Sequence, residues 1–564
     1  MNSSYEITTD VEPIQDDYLD TYLGYPSLHP NHTPSIQVSK QIPKVWTTNK
    51  NNVVVEHHRV IDMLNEWGYG NFNGDLIQRG EDKQLSLTDE EEMWSNLYDY
   101  YMDHDDEDFK NRFVLGTETE DGELVPPYKV RNALINYGPF TKTMYLNKFT
   151  EDESVLDNPK KQHLHTPLFR DNKDEVYTFF KNGVVKTTKD GSILQTYDTI
   201  KDGYIWETQI RNEVDNIDLK LTQKGLFEEF VEKCMSVKDD NGEWKIDEEE
   251  YQSFRTIYGY LLSNYTNNGE TPCPIFVDRE SDGVHAEGGN GKSLVMKSVK
   301  HWKKTTPING KNVDSTNRFV FSGVKLDTEF VFLDDVNADF PFKIIYNYTT
   351  GDMEIERKGV DRFVIPEDIK PKIGVCTNYI MSDTSHSTSR RQYIVEFSSF
   401  WNEQSKKGIS VEDYLGKRLI DKDFTDSDWN HFYNFGFRCI QEYLKNGVLL
   451  TDKSNYQRKQ FISQIEGDGI NDGVVLWLEA FCKTNEKIKD QISWNELYFN
   501  FTQDTDQEII DKWSLSRLKQ ALWEICKHNK WDFNPHKVGK TLSAKRWKTG
   551  PKGQQVESIR IITK

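Results

Sequence analysis

Ala286-Glu287-Gly288-Gly289-Asn290-Gly291-Lys292-Ser293 is the stretch on which the reading of this chain turns. Glycines at 288, 289 and 291 let successive backbone N–H groups face the same way and form a nest for an anion. The apolar run Pro274-Ile275-Phe276-Val277 before it has the character of a buried strand, and Leu294-Val295-Met296-Lys297-Ser298-Val299 after it begins a helix. Strand, glycine loop and helix N-terminus in that order suit phosphate binding. The pattern assigns Glu287, Gly288, Gly289, Asn290, Gly291, Lys292, Ser293 and Leu294 to a nucleotide such as ATP. Lys292 is expected at the β and γ phosphates and the Ser293 hydroxyl at Mg²⁺. Ala286 stands where the strict pattern has glycine, and its methyl fits if φ is negative there.

Downstream, Phe330-Val331-Phe332-Leu333 is an all-apolar run that ends in Asp334-Asp335. Such a run suits a central parallel strand buried on both faces. The acids then stand at its carboxyl end, where open α/β sheets bind ligands. Asp334 is expected to hold Mg²⁺ through water, and Asp335 to polarise an attacking water. A third strand, Ile373-Gly374-Val375-Cys376-Thr377, ends at Asn378, an amide that can orient water and γ-phosphate without adding charge. Arg390 and Arg391 precede the strand-like run Tyr393-Ile394-Val395-Glu396-Phe397, where an arginine at a subunit edge would stabilise transition-state charge in a neighbouring site.

Working outward, 564 residues give room for several domains, and 36% hydrophobic residues suffice for real cores. No apolar run approaches the ~20 residues of a membrane span, and the polar, acidic start, Met1 to Pro13, lacks the core of a signal peptide. Six dispersed cysteines with no Cys-x-x-Cys pair argue against a zinc ribbon or a disulfide framework. A soluble, reduced, cytoplasmic setting is expected. The net charge of -22 is unevenly spread: Glu81 to Val125 carries 16 acids against 3 bases, whereas Lys527 to Lys564 carries 10 bases against 2 acids. A local surface for nucleic acid is therefore compatible with the acidic total.

The first forty or so residues read as a tail. Thr88-Asp89-Glu90-Glu91 reads as a capping box, and Asp103 to Asp108 as a solvated acidic helix end or loop. His163-Leu164-His165 reads as ordinary loop. Val176 to Phe180, Val184 to Thr187 and Ile193 to Gln195 have strand period, with turns expected at Lys181-Asn182-Gly183 and Lys189-Asp190-Gly191. Leu221 to Met235 and Asp247 to Asn264 read as helices. Near the C-terminus, Ser493 to Phe499 and Ser514 to His528 have helical period, with Leu518, Leu522, Ile525 and Cys526 on one face. A basic stretch with Lys537, Lys540, Lys545, Arg546 and Lys548 follows, then a turn and the strand-like Val556 to Ile562. Helices followed by a basic hairpin suit a winged helix docked on nucleic-acid backbone, with Lys545, Arg546 and Lys548 as candidate contacts.

The motif series resembles the superfamily-three helicases, specifically the primase-helicases of bacteriophages, plasmids and large DNA viruses. Glu287 to Ser293 looks like the family's phosphate loop, and Phe332 to Asp335 like its acidic-pair strand. Thr349-Thr350-Gly351-Asp352, running into Glu354 to Gly359, is similar to the segment that leads to the family's pore hairpin. Thr377-Asn378-Tyr379 with Arg390-Arg391 resembles the polar sensor and arginine-finger region. Thr350 stands where glycine is usual, and Asp335 where many relatives carry glutamate. The resemblance covers about Thr271 to Phe400 and implies a homo-oligomeric ring, usually a hexamer, with ATP and Mg²⁺ between subunits, single-stranded or forked DNA in the pore, and a primase or polymerase partner. Arg357 and Lys358, between two strand-like runs, are the candidate DNA contacts there.

The expected fold is α/β: an AAA-type P-loop ATPase core whose parallel sheet is flanked by helices, an N-terminal α+β region and a C-terminal winged-helix-like domain. The expected divisions are an acidic, mostly helical region at 1–170, a small antiparallel β module at 171–225, a helical lead-in at 226–270, the core at 271–400, a helical segment at 401–470 and the basic domain at 471–564. Two functions stay open. One is an ATP-dependent DNA helicase acting in replication of a phage or mobile element. The other is an ATP-switched, DNA-binding replication initiator or regulator without unwinding. No convincing polymerase site is visible in residues 1–225.

Overall fold

In the computed structural model the described residues run from 45 to 563, apart from 50–51, 73–74, 81–82, 103–124, 136–147, 151–162, 166, 201–202, 267–271, 280–287, 314–316, 338–339, 341, 343, 346–347, 349–350, 359–362, 380–390, 468–471, 535–544 and 549–554. The early tail, the acidic run at Asp103 to Asp108, Lys537 and Lys540 lie outside them.

Among the described residues the N-terminal region is α+β, as the expected fold class has it, and its strands correct the mostly helical reading of 1–170. Tyr69–Phe72, Asp75–Arg79 and Gln84–Leu87 form an antiparallel meander, extended on one side by Lys148–Thr150 and His163–His165 and on the other by Ile205–Trp206. The 163–165 segment is thus an outer strand, not loop. Its partner is another three-residue strand, so short a run that local pattern does not announce it. The helix Glu90–Met102 begins one residue later than a Thr88 cap requires. Asp89 Oδ1 accepts from Glu92 N (2.8 Å) while Thr88 Oγ1 donates to Glu92 Oε2 (2.8 Å), so Glu92 rather than Glu91 completes the start.

The β module has Glu175–Phe180, Gly183–Thr188 and Gly191–Gln195 as a meander, with Ile210–Arg211 added in parallel to the first strand. Its turns centre on Lys181-Asn182 and Lys189-Asp190, one residue earlier than expected, because Phe180 pairs with Gly183 and Thr188 with Gly191. Gly183 is required as glycine: at φ 148 a Cβ would lie 2.4 Å from the Gln195 carbonyl oxygen. Strand Ile205–Trp206 leaves the module to join the N-terminal sheet, so the expected boundary near residue 170 is bridged by main-chain pairing.

The core sheet has five parallel strands: β1 (Cys273–Asp278), β2 (Thr305–Asn309), β3 (Phe330–Val336), β4 (Lys372–Thr377) and β5 (Gln392–Phe397), in the spatial order 2-3-4-1-5. β1 and β4 are buried at every position, as the unbroken apolar runs require. Helices α1 (Leu226–Cys234), α2 (Glu248–Leu262), α3 (Lys292–Ser298), α4 (Phe400–Lys406) and α5 (Asp426–Asn446) share one apolar cluster with β1, β3, β4 and β5. α2 and α5 cross at Gly259, where a Cβ would stand 2.2 Å from the Cys439 carbonyl oxygen. The other face packs on Phe72, Ile77, Leu85 and Trp206, so the N-terminal sheet completes the core of the parallel sheet. Beyond it, Met353–Ile355 and Phe363–Ile365 pair as a hairpin, as the two strand-like runs suggested.

The C-terminal unit has its own core. Helices α6 (Val474–Thr484), α7 (Trp494–Asp504) and α8 (Leu515–His528) pack with an antiparallel sheet in which Gln555–Ile559 lies between Ile492–Ser493 and Lys545–Lys548. Leu518, Leu522, Ile525 and Cys526 are buried, as the helical spacing requires. All six cysteines are buried and form no disulfide. Among the described residues no helix is long and apolar enough to cross a membrane.

Candidate functional site

The carboxyl ends of β1, β3 and β4 converge on a cavity of about 390 Å³, lined by Gly288 to Leu294, Asp334, Asp335, Cys376 to Asn378, Phe230 and Val411. The strand order explains the convergence: β4 separates β1 from β3, so Asn378 at its tip stands between the glycine loop and the acids. Gly289 (φ 96) and Gly291 (φ 92) occupy the left-handed region. At Gly291 a Cβ would also press 2.7 Å from Phe230 Cζ and 3.0 Å from Cys234 Sγ, so the loop lies directly on α1. Asn402 on α4 ties it down from above, its Nδ2 donating to the Gly288 carbonyl (2.8 Å).

Asp334 and Asp335 leave the regular ladder. Leu333 pairs with Val375 and Val336 with Thr377, so β3 carries one residue more than β4 over this step. That bulge re-aims the two carboxylates, with Asp335 at φ 57. Asp334 Oδ1 accepts from Ser293 Oγ (2.6 Å), and its Oδ2 pairs with Lys297 (2.8 Å). Asp335 accepts from Asn378 Nδ2 at Oδ1 (3.2 Å) and pairs with Lys311 at Oδ2 (2.5 Å). Gly310 permits the second contact, since a Cβ there would be 2.7 Å from the Asp334 carbonyl oxygen and 2.4 Å from Val336 Cγ1.

Lys292 is buried and bonded to Asp278, the last residue of β1. The same oxygen of Asp278 accepts from Asn290 Nδ2 (2.7 Å). Burial pushes the Asp278 carboxyl up, against the pull of Lys292. Asn290 Oδ1 is buried with no hydrogen-bond partner among the described residues.

The donor set fits a Mg²⁺-nucleotide. Three side-chain-free positions form the cradle, and a hydroxyl and a carboxylate stand one hydrogen bond apart. No trio of His, Cys, Asp or Glu among the described residues forms a dedicated metal cage. Mg²⁺ bound mostly by water and substrate phosphates needs none.

Of the other expected residues, Glu287 and Arg390 lie outside the described part. Arg391 sits at the opposite edge of the sheet, its carbonyl accepting from Cys273 N (2.7 Å) at the start of β1. With about 3.3 Å of rise per residue, that is about 17 Å from the rim bearing the glycine loop. Arg357 is not an open cation at the hairpin: it donates to Asp75 Oδ1 (2.8 Å) and to the Val324 carbonyl (3.0 Å), and covers the Phe363 ring. Lys358 is exposed. Lys545, Arg546 and Lys548 lie on one strand of the C-terminal sheet. Sequence reasoning missed Asp278, Lys297, Lys311 and Asn402, which only the strand order and helix packing bring to this rim. It also missed Phe319, 41% exposed, in a segment where neighbouring Arg318 reaches Glu356 of the hairpin (3.6 Å).

No protein-family model matches the chain, and no curated protein matches it. Among solved structures it is similar to the apo A form of the NrS-1 C-terminal region, at 10% identity and TM-score 0.39, over 89% of this chain and 98% of that one. A shorter piece of that region aligns at 12% identity and TM-score 0.32, over 69% of this chain and 96% of that one. JCV helicase with a bound acetamide compound aligns at 13% identity and TM-score 0.19, over 36% of this chain and 67% of that one. Identities and TM-scores this low leave the functional reading to the site itself.

Proposed function

We propose that this chain is an ATP hydrolase whose turnover drives it along single-stranded DNA, as a ring-forming helicase in replication of a phage or other mobile element. The observation that carries the reading is the meeting of Lys292, Ser293, Asp334, Asp335 and Asn378 around one cavity at the carboxyl rim of a parallel sheet. In this reading the amides of Gly288 to Ser293 and the Lys292 ammonium bind the phosphates, and Ser293 with Asp334 holds Mg²⁺. Mg²⁺, when bound, neutralises phosphate charge. Asp335 accepts a proton from the attacking water, which Asn378 helps orient, while Lys311 fixes the carboxylate through its other oxygen. Arg391, at the far edge of its own sheet, suits a role in a neighbouring subunit's site.

Support for a DNA track comes from the hairpin. Lys358 and Val364 are exposed on the hairpin segment, which Arg318, next to exposed Phe319, reaches at Glu356 (3.6 Å), and cations with an aromatic surface suit backbone contact with base stacking. The C-terminal arrangement of three helices and an antiparallel sheet is compatible with a winged helix, in which Ser514-capped α8 and the strand carrying Lys545, Arg546 and Lys548 would face DNA.

The test is ATP hydrolysis by the full chain and by Lys292→Ala, with thermal unfolding to check the fold. Loss of about a hundredfold or more in turnover is expected, with a cooperative unfolding transition at a lowered melting temperature because Asp278 loses its buried partner; hydrolysis at the original rate would sink the assignment. One observation favours the second reading, an ATP-switched regulator: the N-terminal sheet holds Arg357 through Asp75, so the hairpin's arginine is already engaged. A forked-DNA assay separates the two, because a regulator would hydrolyse ATP without separating strands.

A further inference from the structure

Asp278 is the last residue of β1 and only 7% exposed, yet it is the partner of the lysine that the phosphate loop presents. Lys292 and Asn290, each 5% exposed, both donate to its Oδ1, so one carboxylate oxygen gathers the two polar side chains of the loop. That gathering has a cost visible elsewhere, because Asn290 turns its amide nitrogen to Asp278 and leaves its own Oδ1 buried without a partner among the described residues. Flipping the amide would bring that oxygen against a carboxylate, so the orientation is imposed by Asp278.

We infer that Asp278 is a positioning residue that competes with phosphate for the Lys292 ammonium, keeping the loop ordered when empty and lowering its affinity for nucleotide. The inference rests on the reading of Gly288 to Ser293 as a nucleotide loop. An ammonium shared between a buried carboxylate and a polyphosphate binds the second only to the extent that it gives up the first. When Lys292 turns to phosphate, Asp278 keeps the Asn290 amide as its partner while staying buried, and it adds negative charge behind the triphosphate. Burial pushes this carboxyl upward while Lys292 and Asn290 pull it down, so its charge is costly to keep once the ammonium turns away. After hydrolysis the lysine can return to Asp278, so the same contact that weakens binding favours product departure.

The experiment is calorimetric binding of ADP and of inorganic pyrophosphate to the full chain, alongside steady-state ATPase, for wild type, Asp278→Asn, Asp278→Ser, Asp278→Glu and Lys292→Ala. Asp278→Asn should bind both probes about tenfold tighter, the scale of a close charge pair, with a lower KM and a kcat no higher than wild type. Asp278→Glu should remain near wild type, and Asp278→Ser should follow Asp278→Asn, which covers the case where one variant folds poorly. A merely structural role would weaken binding, so a gain in affinity is diagnostic. Unchanged or weaker binding in both neutral variants, while wild type binds and Lys292→Ala does not, overturns the role of Asp278. Equal binding by wild type and Lys292→Ala overturns instead the nucleotide-loop reading beneath it.

Discussion

Lys311 Nζ lies 2.5 Å from Asp335 Oδ2, joining the turn that follows β2 to the bulge in β3. The hydrogen bond to Asp335 pushes the Lys311 ammonium above its ordinary range. Lys311 is exposed and Asp335 half-buried, so the contact is a poor source of stability and a good source of orientation. Lys311→Ala should lower ATPase kcat about tenfold with KM within about twofold, and change unfolding free energy by less than about 0.5 kcal/mol. Steady-state kinetics with urea unfolding checks this; an equal fall in stability and activity would mean that the lysine merely holds the turn.

Ser293 and Asp334 share a 2.6 Å hydrogen bond where the metal is expected. Ser293→Ala should raise the Mg²⁺ concentration for half-maximal hydrolysis by about tenfold or more, while ADP binding without metal stays near wild type. A metal titration of ATPase decides it, and an unshifted curve would remove Ser293 from the metal site.

Arg357 and Lys358 should separate in their effects. Arg357 is mostly buried against Asp75, whose Oδ2 has no hydrogen-bond partner among the described residues, so losing the arginine leaves a poorly paired carboxylate. Arg357→Ala should cost about 1–2 kcal/mol in urea unfolding, and a cycle with Asp75→Asn should recover about 1 kcal/mol of it as coupling. Lys358→Ala should leave stability unchanged and weaken single-stranded DNA binding and strand separation more than basal ATPase. Fluorescence anisotropy with labelled oligonucleotide measures the last effect; intact binding would take Lys358 off the DNA path.

Glu213 links the β module to the core. Burial alone would raise its carboxyl, but hydrogen bonds with His301 (2.7 Å) and from Tyr433 (2.8 Å) outweigh that and hold it at about 2. A depressed folded-state value stabilises at pH above the unfolded value of 4.5, and the gain is lost as pH falls toward about 2. The shift corresponds to about 3 kcal/mol near neutrality. Glu213→Gln should lose stability of that order at pH 7 and flatten the fall in stability below pH 4.5. Urea unfolding at several pH values tests both, and an unchanged slope would show that the carboxylate is not preferentially stabilised in the fold.

The core was legible because its chemistry is local. The glycines at 289 and 291 must take positive φ, and the apolar runs of β1, β3 and β4 are long enough to be unmistakable. The N-terminal sheet was not, because its pairings are distant and brief: Ile205–Trp206 lies against Gln84-Leu85, and His163–His165 finds only another three-residue strand. Within the site, Asp278 and Lys311 carry no motif. Each acquires its partner from the fold, one where β1 ends beneath the glycine loop and the other where Gly310 brings the turn after β2 against β3. Arg357 was identified by its charge and place, but its engagement depends on Asp75, a partner in a distant part of the chain.

Where α2 and α5 cross at Gly259, the Cys439 carbonyl fills the space a side chain would take. Neither helix can slide or roll on the other without breaking that seat, and both share an apolar cluster with the strands. In mechanical terms they form a stiff backing plate. A displacement at the glycine loop or at the Asp334–Asp335 bulge is therefore passed on rather than absorbed behind the sheet.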